Sequence, residues 1–111
     1  IIMATAVFKN AKTANVATSG STVYTVPSGK YSVIHAIYVT NIYNLEDLYV
    51  NIEVVDASSA PFNIAYLYPI PANLGAVWER PINLMSQEVL KVTSSRANSL
   101  DVFVSYLEFT P

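Results

Sequence analysis

The chain has 111 residues, one domain's length. Val, Ile, Thr, Tyr, Phe and Trp supply 44 of them, the residue types that fit a pleated surface. Charged residues make up 13%, against about 25% in ordinary soluble domains, while 52% are hydrophobic. These values exclude a disordered chain and disfavour a solvated helical bundle. A net charge of −2 gives no cationic patch for a phosphate backbone, so no nucleic-acid partner is expected.

The missing charge is informative. A chain this small leaves about a third or more of its unfolded surface exposed after folding. With so few charges, part of that surface must be covered by copies of the chain or by another protein. Residues 1–45 hold Lys9, Lys12 and Lys30 and no acid, whereas 46–111 hold eight acids against Arg80, Lys91 and Arg96. Strands from the two halves interleave in a sheet protein, which blurs this asymmetry. There is no cysteine, so disulfides and thiolate metal sites are excluded. The longest uncharged run, Ala57–Trp78, contains Pro61, Pro69, Pro71 and Gly75 and does not suit a membrane span. The opening has no basic stretch before an apolar core, so no secretory leader is expected.

In chain order, Met3–Ser21 is small and polar, with packing bulk only at Val7, Phe8 and Val16. It reads as an extended N-terminal arm, with one or two short strands, that reaches a neighbouring chain. Thr22–Val26 is strand-like and ends in a turn at Pro27-Ser28-Gly29-Lys30. Tyr31–Asn41 is the longest β-type run. Val33, Ile37 and Val39 fall on one parity and Ile34, Ala36 and Tyr38 on the other, so a central strand covered on both faces is expected. Leu48–Val54 alternates cleanly, with Leu48, Val50, Ile52 and Val54 inward and Tyr49, Asn51 and Glu53 outward. Phe62–Tyr68 is a strand placed at an edge or beside a loop by Pro69 and Pro71. Ala76–Trp78 and Ile82–Leu84 are short. Val89–Thr93 alternates, and Leu100–Phe109 is apolar on both faces. The chain is therefore expected to be all-β. The architecture is an antiparallel, jelly-roll-like sandwich of seven to nine strands, with an arm over 1–21 and one domain over 22–111.

Catalytic chemistry is poorly supplied. His35, the single histidine, sits in the most apolar strand without a neighbouring acid to orient it, so a packed or interface histidine is the better reading. Glu46, Asp47, Glu53 and Asp56 supply oxygens that suit calcium, but without EF-hand spacing they read as solvated turn and strand-edge charges. Gly20, Gly29 and Gly75 are isolated, so no phosphate-cradling loop forms. No catalytic residue, metal ligand or cofactor is assigned. Trp78, beside Glu79 and Arg80 in an expected loop, suits a sugar-stacking ring, an interface anchor or a core residue. The interface candidates are Phe8, Tyr49, Trp78, Arg80 and Tyr106.

Three stretches carry a family resemblance. They are Lys9–Thr18, then Thr22-Val23-Tyr24-Thr25-Val26-Pro27 leading to Ile37-Tyr38-Val39-Thr40-Asn41, and finally Leu90-Lys91-Val92-Thr93-Ser94-Ser95 with Leu100–Glu108. Together these resemble small β-sandwich virion structural proteins of tailed bacteriophages: decoration, cement or tail-associated proteins. The resemblance implies a non-enzymatic protein on the capsid exterior, assembled in the host cytoplasm, that stabilises contacts between capsid subunits. It implies a homo-oligomer, a trimer by analogy, bound to the major capsid protein or another virion protein. A neck, tail or baseplate component is the close alternative. A carbohydrate-binding module using Trp78 is the alternative of another class.

Overall fold

The computed structural model describes Thr5–Pro111. Ile1–Ala4, and with them the Met3 end of the expected arm, lie outside the described residues. Nine strands are present among the described residues: β1 (Thr5–Thr13), β2 (Ser21–Thr25), β3 (Tyr31–Asn41), β4 (Leu48–Val55), β5 (Pro61–Ile70), β6 (Gly75–Trp78), β7 (Ile82–Leu84), β8 (Val89–Ser94) and β9 (Leu100–Thr110). One sheet has the order β1-β9-β3-β6, with β7 also on β3. The other has the order β2-β8-β4-β5. Every pairing is antiparallel.

The pairings are nested. The first strand pairs with the last, β2 with β8, β3 with β6 and β7, and β4 with β5. This is one long hairpin folded over itself into two facing sheets, the jelly roll. The sandwich expected from composition and turn spacing is present, and the nesting fixes its topology.

The core lies between the sheets. β4 contributes Leu48, Val50 and Ile52, each fully buried, and β8 contributes Leu90 and Val92. β9 faces them with Leu100, Val102 and Val104. The alternation of β4 is as expected, with Tyr49 exposed on the opposite face. The turn before β3 closes through Lys30 N–H donating to the Pro27 carbonyl, 3.1 Å, with Gly29 at φ 77° in the third position.

Two expectations are corrected. β3 is covered on one face only within the chain. A bulge between Ile34 and Ala36 inserts an extra residue and shifts the parity, so Ile34, Ile37 and Val39 all face the core while Tyr31, His35 and Tyr38 face out. The described part of the arm is also more than an arm. β1 pairs with β9 from Thr5↔Thr110 to Thr13↔Val102, and Val16 is buried in the core with its N–H donating to the Leu100 carbonyl, 2.9 Å. Backbone ladder bonds order β1, so its small side chains need supply little burial.

Asn41 locks one end of the sandwich. Its buried Nδ2 donates to the Ile70 carbonyl, 3.0 Å, and to the Glu46 carbonyl, 3.1 Å, while its Oδ1 accepts the Tyr43 N–H, 2.8 Å. One side chain thereby ties β3 to β5 and to the loop before β4. Asn41→Ala is expected to cost about 2 kcal/mol, because it strands buried backbone groups. Urea denaturation that gives an unchanged midpoint would refute this role.

Candidate functional site

The outer face of the β1-β9-β3 sheet is built from the strands' other parity. Phe103, Leu107 and Phe109 of β9 point outward, opposite the inward Val102, Val104 and Tyr106. Register places Phe8 beside Leu107, Tyr31 beside Phe109 and Tyr38 beside Phe103. The rings pair: Tyr31 stacks on Phe109 at 5.1 Å, Phe8 on His35 at 5.6 Å, and Tyr38 meets Phe103 edge-on at 6.1 Å. Lys12 Nζ lies 5.9 Å from the Phe103 ring centroid. A groove of about 480 Å³ runs along this face between Lys12, Tyr38, Asp101 and Phe103. The other sheet's outer face is polar by comparison, with Asn51, Glu53, Lys91 and Thr93 on it.

The sequence-chosen residues do not form one cluster. Phe8, 75% exposed, lies on the aromatic face. Tyr49 stands on the opposite, polar face, next to Pro69, with its backbone N–H donating to Ser95 Oγ, 2.9 Å. Trp78 closes β6 and does not sit in a loop. It pairs with Ile37, packs partly on the core and meets Tyr68 edge-on at 5.1 Å. This contact closes the flank of the sandwich between β5 and β6. Arg80 is exposed beside it. Tyr106 is corrected as an interface candidate. It has the inward parity of Val102 and Val104, and its buried ring lies 4.0 Å from that of Tyr24. The flank groove of about 370 Å³ holds Ile64, Trp78, Glu79 and Arg80 but no tyrosine or amide, so the aromatics do not converge on it. They spread over a sheet face and an edge.

β5 is the exposed edge of the second sheet. Phe62, Ile64, Tyr66, Leu67 and Tyr68 are all exposed, while only Ala65 and Ile70 are buried. Register shifts between Val50 and Glu53 break the alternation. Leu67 adopts φ 50°, a left-handed conformation unfavourable for a bulky residue. Asn51 Oδ1 accepts its N–H at 2.7 Å and holds it there.

The sequence reading missed a buried charge. Glu108 keeps the inward parity of β9 and is 4% exposed. Its carboxylate accepts from Lys9 Nζ, 2.9 Å, from the Tyr24 hydroxyl, 2.8 Å, and from Lys30 Nζ, 3.4 Å. The Tyr24 hydroxyl also bonds Ser32 Oγ. Parity alone was the available signal, since Glu108 falls in phase with Leu100 through Tyr106. The Lys9 hydrogen bond holds the Glu108 carboxyl below its ordinary 4.5, and the same bond raises Lys9 above 10.5. Burial pushes the Tyr24 hydroxyl well above its ordinary 10. Each member of this cluster is occupied by the others, so it staples β1, β2, β3 and β9 together.

His35 stands exposed at the β3 bulge, with Phe8 over its ring. Asp56 accepts from Ser58 N–H, Ser58 Oγ and Ala60 N–H within its own turn, which lowers its pKa, and Glu46 lies 3.7 Å from Arg96. Among the described residues, no three His, Asp or Glu side chains are grouped to hold a metal ion, and no helix is long and apolar enough to cross a membrane.

No protein-family model matches the chain, and no curated protein matches it. Solved structures do. The chain is similar to a protein in the acidic stable capsid of Helicobacter pylori bacteriophage KHP30, with a TM-score of 0.60 and 15% identity, covering 98% of this chain and 94% of that one. It is also similar to a protein of the disulfide-linked pili that form Bacillus endospore appendages, with a TM-score of 0.58 and 11% identity, covering 97% and 90%. The likeness is one of fold.

Proposed function

We infer that this chain is a non-enzymatic structural protein of a bacteriophage particle, acting by burying its aromatic outer face and exposed edge against neighbouring subunits. The observation that carries this reading is the aromatic face of the β1-β9-β3 sheet, on which Lys12 and Asp101, both at one end, are the acidic and lysine side chains among the described residues. A lone exposed ring on a monomer needs no explanation, but a row of paired rings does. The whole-length likeness to a phage capsid structure supports the same reading. Within the particle, the proposed place is the capsid exterior, as a decoration or cement protein bridging capsid subunits, with a neck, tail or baseplate position as the variant. A permanent contact of this kind should bury well over 1,000 Å² in total.

A second reading, a subunit of an extracellular filament, is favoured by the similar likeness to the endospore pili. Those pili are disulfide-linked, and this chain has no cysteine with which to make such links. Light scattering on the size-fractionated protein, followed by electron microscopy, separates the readings. Closed rings or shells are expected. Filaments would favour the second reading, and a clean monomer at 100 µM would overturn both.

A further inference from the structure

The two flanks of the sandwich differ in charge. β1 and β2 lie along one flank and β5 with β6 along the other, as the strand orders and the Tyr68–Trp78 contact require. The β1 flank carries Lys9, Lys12 and, from the adjoining turn, Lys30. Against them stand the buried Glu108, together with Asp101 and Glu88, whose backbone carbonyl accepts the Val26 N–H. With Lys91, in register with Thr22 of β2, four lysines face three acids and the described flank is net positive. The β4–β5 flank and its loops, from Ile42 to Leu74, hold Glu46, Asp47, Glu53 and Asp56 and no lysine or arginine. Counting Arg96 beside Glu46 still leaves this flank net negative.

Each flank also presents apolar bulk. On β1, Val7 and Phe8 are exposed. On β5, the left-handed Leu67 makes Tyr66, Leu67 and Tyr68 three successive exposed side chains, where a regular strand would turn one of them inward. A strained bulky residue held by a specific bond from Asn51 marks this protrusion as a formed feature. Pro61 and Pro69 near the ends of β5 limit backbone pairing there, which points to contact through side chains and not through an added strand.

We propose that the chain binds further copies of itself head to tail, with the basic β1 flank of one copy seated on the acidic, aromatic β5 flank of the next. This rests on the structural-protein reading above and specifies its contact. Unlike surfaces on one chain make a heterologous interface, which closes into a ring or propagates as a filament. Charge complementarity favours a second copy as the occupant, because the chain itself supplies both signs.

The test uses two half-blocked chains. Phe8→Glu puts an acid on the basic flank, and Tyr66→Glu adds an acid to the acidic one. Both positions are well exposed, 75% and 66%, and both variants should melt like the wild type. Should either melt lower, Lys12→Glu and Phe62→Glu replace them. Wild type is expected to assemble beyond a dimer. Each variant alone is expected to weaken association roughly thirtyfold or more, a hot-spot effect. An equimolar mixture is expected to form one-to-one dimers and nothing larger, since only one intact pair of flanks remains. Variants that assemble like wild type, or a mixture that stays monomeric while wild type assembles, would overturn the head-to-tail contact and leave the structural-protein reading standing. A monomeric wild type would overturn both.

Discussion

Ile52→Ala is expected to lower the stability of the domain by about 2–5 kcal/mol. Ile52 is fully buried at the centre of β4, between Val92 of β8 and Ala65 of β5 in register. Its side chain fills the space between the sheets, and the bulged backbone of β5 has little freedom to collapse onto a cavity. Tyr49→Ala is the matched control. It lies on the same strand with the opposite parity and is 50% exposed, so its folding cost should stay within about 0.5 kcal/mol. The two variants are compared by urea denaturation with a common slope. Equal losses would mean that the facing of β4 is reversed.

Glu108→Ala is the second large loss, about 2–3 kcal/mol. The mutation removes charge-assisted bonds from Lys9 and Tyr24. The cost falls below that of a fully buried pair because the lysine side chains, 44% and 34% exposed, can turn to water. The signs of the pH dependence follow from the same contacts. The folded Glu108 carboxyl titrates below its unfolded 4.5, so its contribution is complete above that pH and is lost as pH falls through the lowered value. Lys9 and Tyr24 titrate higher folded than unfolded. Their contributions are complete below 10.5 and 10 respectively and fade as pH rises through the raised values. Thermal melts from pH 2 to 11 should show a plateau with losses on both sides. In Glu108→Gln the acid-side loss should shrink but persist, since Asp56 is also held low by its turn. An acid limb identical to wild type would remove Glu108 from this role.

The strand plan was legible because β4 and β8 alternate, and Leu48, Val50 and Ile52 declare their face without help. The edge position of β5 was legible from its prolines. β3 was misread because one inserted residue at His35 reverses parity midway, and nothing in Ser32–Ile37 distinguishes a bulge from a regular strand. β1 was undervalued because its order comes from ladder bonds to β9, a partner almost a full chain length away. Glu108 was overlooked although its parity was in plain sight, because a carboxylate in a core position makes sense only once Lys9, Lys30 and Tyr24 are brought to it. The exposed run on β5 depends on a local backbone twist at Leu67, which composition does not signal.

The nested pairing also sets an order of events during synthesis. β9 is an interior strand, flanked by β1 and β3, yet it is made after the other eight described strands. Until Leu100–Thr110 has left the ribosome, β1 has no sheet to join and β3 keeps one side unpaired. Closing a loop from Thr5 to Thr110 carries a large entropic cost before any ladder bond offsets it. The nascent chain therefore waits with two open strands for β9, a slow and aggregation-exposed interval. Premature termination before residue 100 would leave that interval without an end.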